Sequence, residues 1–246
     1  MIRLGTPTAL LLAGITTTVN GHADQAISVR DGWTGALDYV LTGVELATDT
    51  GGSSGVDSLA LPAVFDVTIA QLPAAASVTA AYLYWGGSQA DSACAGSGDD
   101  TVLFGVPGIA AESVTADVCY CSDSDSPGYD IWICSADVTP LYERSGATHI
   151  GSHSVDGYSG LIANSATDCA AAALFLVGSG GGLPGTTVAL HDGIATQLSG
   201  TQNYSFSGFN ASAATGSLSF FALEGDVGGS EGESVSVNGA PGAPGP

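Results

Sequence analysis

The sequence contains no lysine, and its only basic residues are Arg3, Arg30 and Arg144 against 24 acidic residues, which gives a formal net charge of −21. Binding to nucleic acid or to anionic membranes depends on clustered Lys and Arg. Phosphoryl transfer also needs cationic groups around the phosphates. The composition therefore argues against these functions. The ligands that remain compatible with an acidic surface are divalent cations, basic partners and neutral glycans. Acidity of this kind is also typical of a soluble extracellular protein.

Long hydrophobic runs are missing as well. No stretch reaches ~18 uninterrupted apolar residues, the length that a membrane helix needs, so we expect no membrane insertion. Arg3 precedes an apolar run at 8–19, and Gly21 and Ala23 are the small residues that a signal peptidase recognises. We predict a signal peptide at 1–23 and a secreted or cell-surface protein.

No window has a sustained helical period with caps, and no repeat of fixed length occurs. Short β-branched and aromatic runs alternate with Gly, Ser, Asp and Pro, which predicts strands. The run at 171–177 is continuously apolar, as in a strand buried on both faces, although a short helix could give the same pattern. About a dozen short strands predict an all-β, two-sheet antiparallel sandwich of jelly-roll type over 24–239. The Pro/Gly-rich segment 240–246 is predicted to be a linker or tail.

The predicted strands lie at 36–46, 65–71, 78–85, 101–104, 113–121, 129–137, 149–153, 171–177, 186–192, 204–209, 217–223 and 234–237.

Five cysteines in an oxidising compartment predict two disulfides and one remaining thiol. Folding the segment 119–134 as a hairpin about Pro127 places Cys121 near Cys134. Cys119 lies on the same face as Cys121 and could reach Cys94. Four cysteines allow three pairings, so the connectivity stays open, and Cys169 has no assigned role. A thiolate metal site is disfavoured because Cys-x-Cys is not the usual zinc spacing.

Asp123, Asp125 and Asp130 offer the oxygen ligands that calcium prefers. The spacing does not match an EF-hand, so we expect either a looser calcium loop or a solvated acidic turn. Calcium is the one cofactor that the sequence suggests. His149 and His153 are four residues apart, but on a strand they would lie ~13 Å apart, too far to share an ion. His191-Asp192-Gly193 is interpreted as a hairpin end.

No nucleophile motif or phosphate-binding loop occurs in a suitable context, so we expect no enzyme. A hydrolase with paired carboxylates is a distant alternative, since nothing selects a pair. Three tryptophans and three tyrosines could form a platform for sugar rings, although aromatic packing between sheets is the commoner use. The platform candidates are Trp33, Trp85, Trp132, Tyr82, Tyr84 and Tyr120.

Several short segments resemble a family of secreted bacterial β domains catalogued as domain of unknown function 3344. They are 81–86, 130–132, 136–139, 173–177, 192–193 and 220–226. The resemblance implies a surface or extracellular protein, often with further sequence after this region, and implies no catalytic residues. Relatives tend to have Tyr where this chain has His191.

Together these features predict a non-enzymatic extracellular or cell-surface module with an adhesive, matrix or structural role, which calcium could stiffen. Its expected partners are matrix or cell-surface proteins, or further copies of itself. The alternative is a glycan-binding module. Solvent exposure of Trp33, Trp85 and Trp132 distinguishes the glycan-binding hypothesis from the adhesive or structural one, because a glycan platform must leave at least one ring open to water.

Overall fold

The computed structural model describes residues 2–5, 25–49, 56–89, 99–122, 130–160, 162, 169–195, 203–204, 216–223, 236–237 and 240–241. Within these ranges the chain is almost entirely β, with sixteen strands and one helix of four residues.

In chain order the elements are β1 (Ile2–Gly5), β2 (Gln25–Glu45), β3 (Ala47–Thr48), β4 (Ser58–Leu59), β5 (Ala63–Val67), β6 (Ala76–Gln89), β7 (Thr101–Gly105), β8 (Glu112–Thr115), β9 (Val118–Ser122), β10 (Asp130–Asp137), α1 (Thr139–Tyr142), β11 (Gly151–Asp156), β12 (Ala170–Gly180), β13 (Gly185–Ile194), β14 (Gly216–Leu218), β15 (Ser236–Val237) and β16 (Ala240–Pro241).

Twelve of these strands form two packed sheets, which confirms the predicted all-β sandwich. The larger sheet has the order β14-β1-β13-β2-β12-β6-β10-β9, and the smaller has the order β5-β11-β7-β8. The remaining four strands form two ladders of two residues each, and every pairing is antiparallel.

The main core lies between the two sheets. Alternate side chains of β6 point into it, including Leu83 and Trp85, neither of which is exposed to solvent. Phe104 of β7 and Leu174 of β12 meet them there. The period of two in each strand sends one set of side chains to this interface and the other set to the opposite face.

The opposite face of the large sheet is also apolar. It carries a second cluster of buried residues, including Tyr82 and Tyr84 of β6 and Phe175 and Val177 of β12. Strand β12 is therefore buried on both faces, as its uninterrupted apolar run predicts, and the alternative of a short helix there is wrong.

Strand β2 is much longer than the predicted strand at 36–46. Its first part, Gln25 to Ala36, pairs with β13, and its second part, from Leu37 to Glu45, pairs with β12. No residue of the first part is buried, so its sequence lacks the apolar pattern of a strand, and its ladder with β13 holds it in place. The predicted strand at 113–121 is in fact two strands, β8 and β9, which belong to different sheets.

The helix α1 was not predicted. Pro140 lies in its first turn, where the missing N–H of proline costs nothing. The backbone N–H of Thr139 donates to Asp137 Oδ1 at 2.9 Å, which fixes the entry to the helix.

Strand β1 lies within the predicted signal peptide, and β16 lies at the start of the predicted tail. Most of the predicted strand at 204–209 falls outside the described residues.

Candidate functional site

Strands β2 and β13 pair with a bulge at Arg30. Leu190 lies opposite Asp31, but the next residue, His191, lies opposite Val29, so Arg30 is an extra residue in β2. Bulges of this kind re-aim side chains and are frequent beside functional sites.

A second irregularity follows in β13, around Gly193. Asp192 lies opposite Ser28, but Ile194 lies opposite Gln25, so the two strands contribute unequal numbers of residues. Gly193 has φ +145°, and a Cβ there would come within 2.8 Å of backbone atoms of the neighbouring strand. Glycine is therefore required here. Arg30 lies at the first irregularity and Asp192 lies beside the second.

Arg30 and Asp192 form a buried ion pair. Arg30 Nη1 donates to Asp192 Oδ2 at 2.7 Å and to Ser135 Oγ at 2.5 Å. Arg30 Nη2 lies 3.7 Å from Asp117 Oδ2, whose side chain is 55% exposed. The side chains of Arg30 and Asp192 are only 16% and 7% exposed, so their attraction is poorly screened by water.

Three tyrosines surround the pair. Tyr84 donates to Asp192 Oδ2 at 3.3 Å, and Tyr120 donates to Asp192 Oδ1 at 3.1 Å. The guanidinium of Arg30 lies 4.5 Å from the ring centre of Tyr82, in cation–π geometry. We call these residues the Arg30–Asp192 cluster: Arg30, Asp192, Ser135, Asp117, Tyr82, Tyr84 and Tyr120.

The charge states in the cluster follow from burial. Desolvation raises the pKa of Tyr82 to about 12, and it also raises the pKa of Tyr84 and Tyr120, with Asp192 adding to the effect on these two. The phenols therefore stay protonated and act as donors. Burial alone would lower the pKa of Arg30, but its bond to Asp192 raises it above the usual value. The cluster is thus a charged centre with protonated donors around it.

The cluster joins five strands of the large sheet. Arg30 is on β2, Asp192 on β13, Tyr84 on β6, Tyr120 on β9 and Ser135 on β10. A carboxylate offers about four acceptor positions, and three are occupied by Arg30, Tyr84 and Tyr120. The arrangement is therefore suited to fastening the curved sheet, because most of its bonding capacity is used inside the protein.

Sequence reasoning missed this cluster. The interpretation of His191-Asp192-Gly193 as a hairpin end is wrong, since all three residues lie inside β13. The available signal was Arg30, one of two arginines beyond the predicted leader, in a stretch with little apolar patterning. Its partner 162 positions away could not be found without the pairing of β2 and β13.

The tryptophans predicted for a glycan platform are in different environments. Trp85 is fully buried and Trp132 is 3% exposed, so neither can stack on a sugar. Trp33 is half-buried, and its ring centre lies 5.9 Å from that of Phe175 and 6.3 Å from that of Tyr82. One of the three rings is thus partly open to solvent.

The predicted pairing of Cys121 with Cys134 is wrong, because the structure bridges Cys119 to Cys134. In the β9–β10 ladder Cys134 lies directly opposite Cys119. The real register differs by two residues from folding about Pro127. Such a shift keeps every side chain on its face, so alternation could not distinguish the two.

The remaining cysteines complete the disulfide arrangement. Cys121 is also disulfide-bonded, so the proposed bridge between Cys119 and Cys94 is wrong as well. Cys94 itself lies outside the described residues. Cys169 is buried and forms no disulfide, as expected for the remaining thiol.

The candidate calcium loop lies mostly outside the described residues, which include Asp130 but not Asp123 or Asp125. Asp130 is 2% exposed at the start of β10, opposite Gln89 of β6. Across the part of the chain that the structure describes, no group of three His, Cys, Asp or Glu side chains is placed to hold a metal ion.

The two histidines have separate internal partners. His149 Nε2 lies 3.1 Å from the carbonyl oxygen of Pro73. His153 is fully buried, with Nδ1 3.1 Å from the carbonyl oxygen of Gly151 and Nε2 2.9 Å from Tyr142 Oη. A carbonyl can only accept, so Nδ1 carries the proton and Nε2 accepts from Tyr142. Burial lowers the pKa of His153 to about 4.

Among the described residues, no helix is long and apolar enough to cross a membrane. No protein-family model, curated protein or solved structure matches the chain. The resemblance to domain of unknown function 3344 stays a prediction from the sequence.

Proposed function

We propose that this chain is a non-enzymatic module that acts outside the cell or on its surface, in an adhesive, matrix or structural role. The observation that carries the proposal is that the large sheet is packed on both faces, with the Arg30–Asp192 cluster fastening its strands on one of them. Packing on both faces favours a rigid element, and the carboxylate of Asp192 adds three internal hydrogen bonds to it.

Two further features support an extracellular role. A cross-strand disulfide stabilises β9 against β10 and is typical of proteins that fold in an oxidising compartment. The net charge of −21 keeps the surface hydrated and favours basic partners or cations over nucleic acid. Calcium held by Asp123, Asp125 and Asp130 would add stiffness to the same module.

Deletion of the gene in the producing cell tests this function. We expect weaker attachment of cells to surfaces or weaker cohesion of their matrix under flow, restored by the wild-type gene. Complementation with the Asp192→Asn variant, whose sheet is less firmly held, should restore less. Unchanged attachment after deletion, or turnover of a substrate by the purified protein, would overturn the proposal.

A glycan-binding role is the second candidate, and the half-buried Trp33 favours it. Its ring is held in place by Phe175 and Tyr82, and a fixed, partly exposed ring suits stacking on a sugar. A glycan array with residues 24–246 is the test. Binding that is lost in Trp33→Ala but retained in Phe220→Ala, which removes an aromatic ring that is 57% exposed, would establish this role. Binding retained in both variants would exclude Trp33 as the platform.

A further inference from the structure

Strand β9 lies at one end of the large sheet, and among the described residues it forms a ladder only with β10. The ladder covers five residue pairs, from Ser122 opposite Ile131 to Val118 opposite Ser135. Ladders this short are only marginally stable by themselves. Other contacts must therefore hold β9 in place.

Those contacts are concentrated around Tyr120. The residues on either side of it, Cys119 and Cys121, are both disulfide-bonded, and Cys119 is tied to Cys134 of β10. Tyr120 points to the other face of the strand and donates to Asp192 of β13. The disulfides thus fix the position from which the Tyr120 hydroxyl reaches the Arg30–Asp192 cluster.

The Cys119–Cys134 bridge is accessible from one side. Cys119 is exposed, whereas Cys134 is fully buried in the main core. The side of the bridge that faces solvent is therefore the Cys119 side, and attack on Cys119 Sγ makes the sulfur of Cys134 the leaving group. Access to one sulfur is a requirement for thiol–disulfide exchange.

We infer that β9 is a redox-controlled latch on the Arg30–Asp192 cluster. A dithiol reductant attacks Cys119 Sγ as a thiolate, breaks the disulfide and forms a mixed disulfide, and Cys134 leaves as a thiolate that takes up a proton. The second thiol of the reductant then closes its own disulfide and releases Cys119, which is protonated in turn. Two electrons and two protons pass to the protein.

The bridge at Cys121 is reduced by the same two-step exchange, with a second equivalent of the dithiol. Release of both bridges frees β9 to separate from β13 while the rest of the large sheet stays folded. Tyr120 then withdraws from Asp192, and the side of the cluster that faces β9 opens to solvent. Arg30 and Tyr84 still bond Asp192, so the cluster keeps its ion pair but is no longer shielded from solvent by β9.

Hydrogen exchange followed by mass spectrometry tests the latch on the full chain, with and without a dithiol reductant. We expect exchange about tenfold faster in 118–122 after reduction, while 188–192 of β13, which is paired with β2, and 172–176 of the central strand β12 stay protected. The Cys169→Ser variant should respond in the same way, which excludes the buried thiol as the cause. Tyr120→Phe, in the oxidised state, leaves the disulfides intact and should therefore accelerate exchange in 118–122 by less than reduction does.

Two results would overturn the inference. Faster exchange in 172–176 together with 118–122 would show that the disulfides hold the whole fold and no separate latch exists. No change in 118–122 after complete reduction, verified by thiol alkylation, would show that the ladder holds β9 without its bridges.

Discussion

Arg30 and Asp192 are 162 positions apart in the chain, yet Arg30 Nη1 lies 2.7 Å from Asp192 Oδ2. The two residues lie at or beside two neighbouring irregularities in the pairing of β2 with β13. The chain beyond its predicted leader has only two arginines, and the structure uses one of them inside the protein.

Removal of one partner of this pair should destabilise the fold strongly, because the other charge would lose its nearest partner in a poorly hydrated site. We expect Asp192→Asn or Arg30→Met to lower the free energy of unfolding by about 3 kcal/mol. Urea unfolding at pH 7 measures the change. Arg144→Gln is the matched control, since Arg144 pairs with Glu112 at the surface, where both side chains are well exposed. Arg144→Gln should lower the free energy of unfolding by less than about 1 kcal/mol. A loss in Arg144→Gln equal to that in Asp192→Asn would contradict the prediction.

Acid should destabilise the protein through His153. The pKa of this residue is about 4 in the folded protein, against 6.5 for an ordinary histidine, because its ring is buried. The unfolded chain therefore takes up a proton first as the pH falls below about 6.5. Stability should drop by about 3 kcal/mol between that pH and pH 4, below which the folded state is protonated too.

Unfolding measured from pH 7.5 to pH 4 in wild type and His153→Gln tests this dependence. The variant should be less stable at pH 7.5 but should lose much less stability on acidification. Asp66 and His149 also act on the charge of His153, so Asp66→Asn is the control for an indirect effect. An equal slope in wild type and His153→Gln would exclude His153 as the cause.

Gly87 is required by the close approach of β6 to its neighbours. A Cβ at this position would overlap the hydroxyl of Tyr158 and the carbonyl oxygen of Cys169. We expect Gly87→Ala to destabilise by about 1–3 kcal/mol through overpacking, measured by thermal unfolding. In Gly32→Ala the nearest atom to the new Cβ would be the carbonyl oxygen of Val188 at 3.6 Å, an ordinary contact. A similar loss of stability in both variants would show that packing around Gly87 is not the cause.

Calcium should stabilise the protein if Asp123, Asp125 and Asp130 hold it. At a hundredfold excess over the dissociation constant, binding to the folded state alone adds about 2.7 kcal/mol. Thermal unfolding of residues 24–246 with calcium and with chelator measures this. The rise should vanish in Asp123→Ala/Asp125→Ala and persist in Glu45→Ala/Glu143→Ala, which removes two exposed acids elsewhere. No rise in the wild type would exclude the calcium site and leave the acidity as a matter of solubility.

The sequence by itself determined the fold class and the buried strands. The alternation of Phe65 and Val67 in β5 predicts burial on one face, and the uninterrupted apolar run in β12 predicts burial on both faces, because side chains in a strand alternate between two faces. Composition argues against binding to a phosphate backbone, since the chain has no lysine and only three arginines, and this stays a prediction. The number of disulfides followed from the count of cysteines.

Only the tertiary structure decided the pairing of those cysteines and the position of the cluster. Cys119 and Cys121 share a face, so a register shift of two residues exchanges one for the other without any change in local pattern. Arg30 and Asp192 meet because two long strands pair with bulges, and a bulge leaves little trace in the pattern of a single strand. Contacts of this kind depend on register between distant segments, which the pattern of neither segment contains.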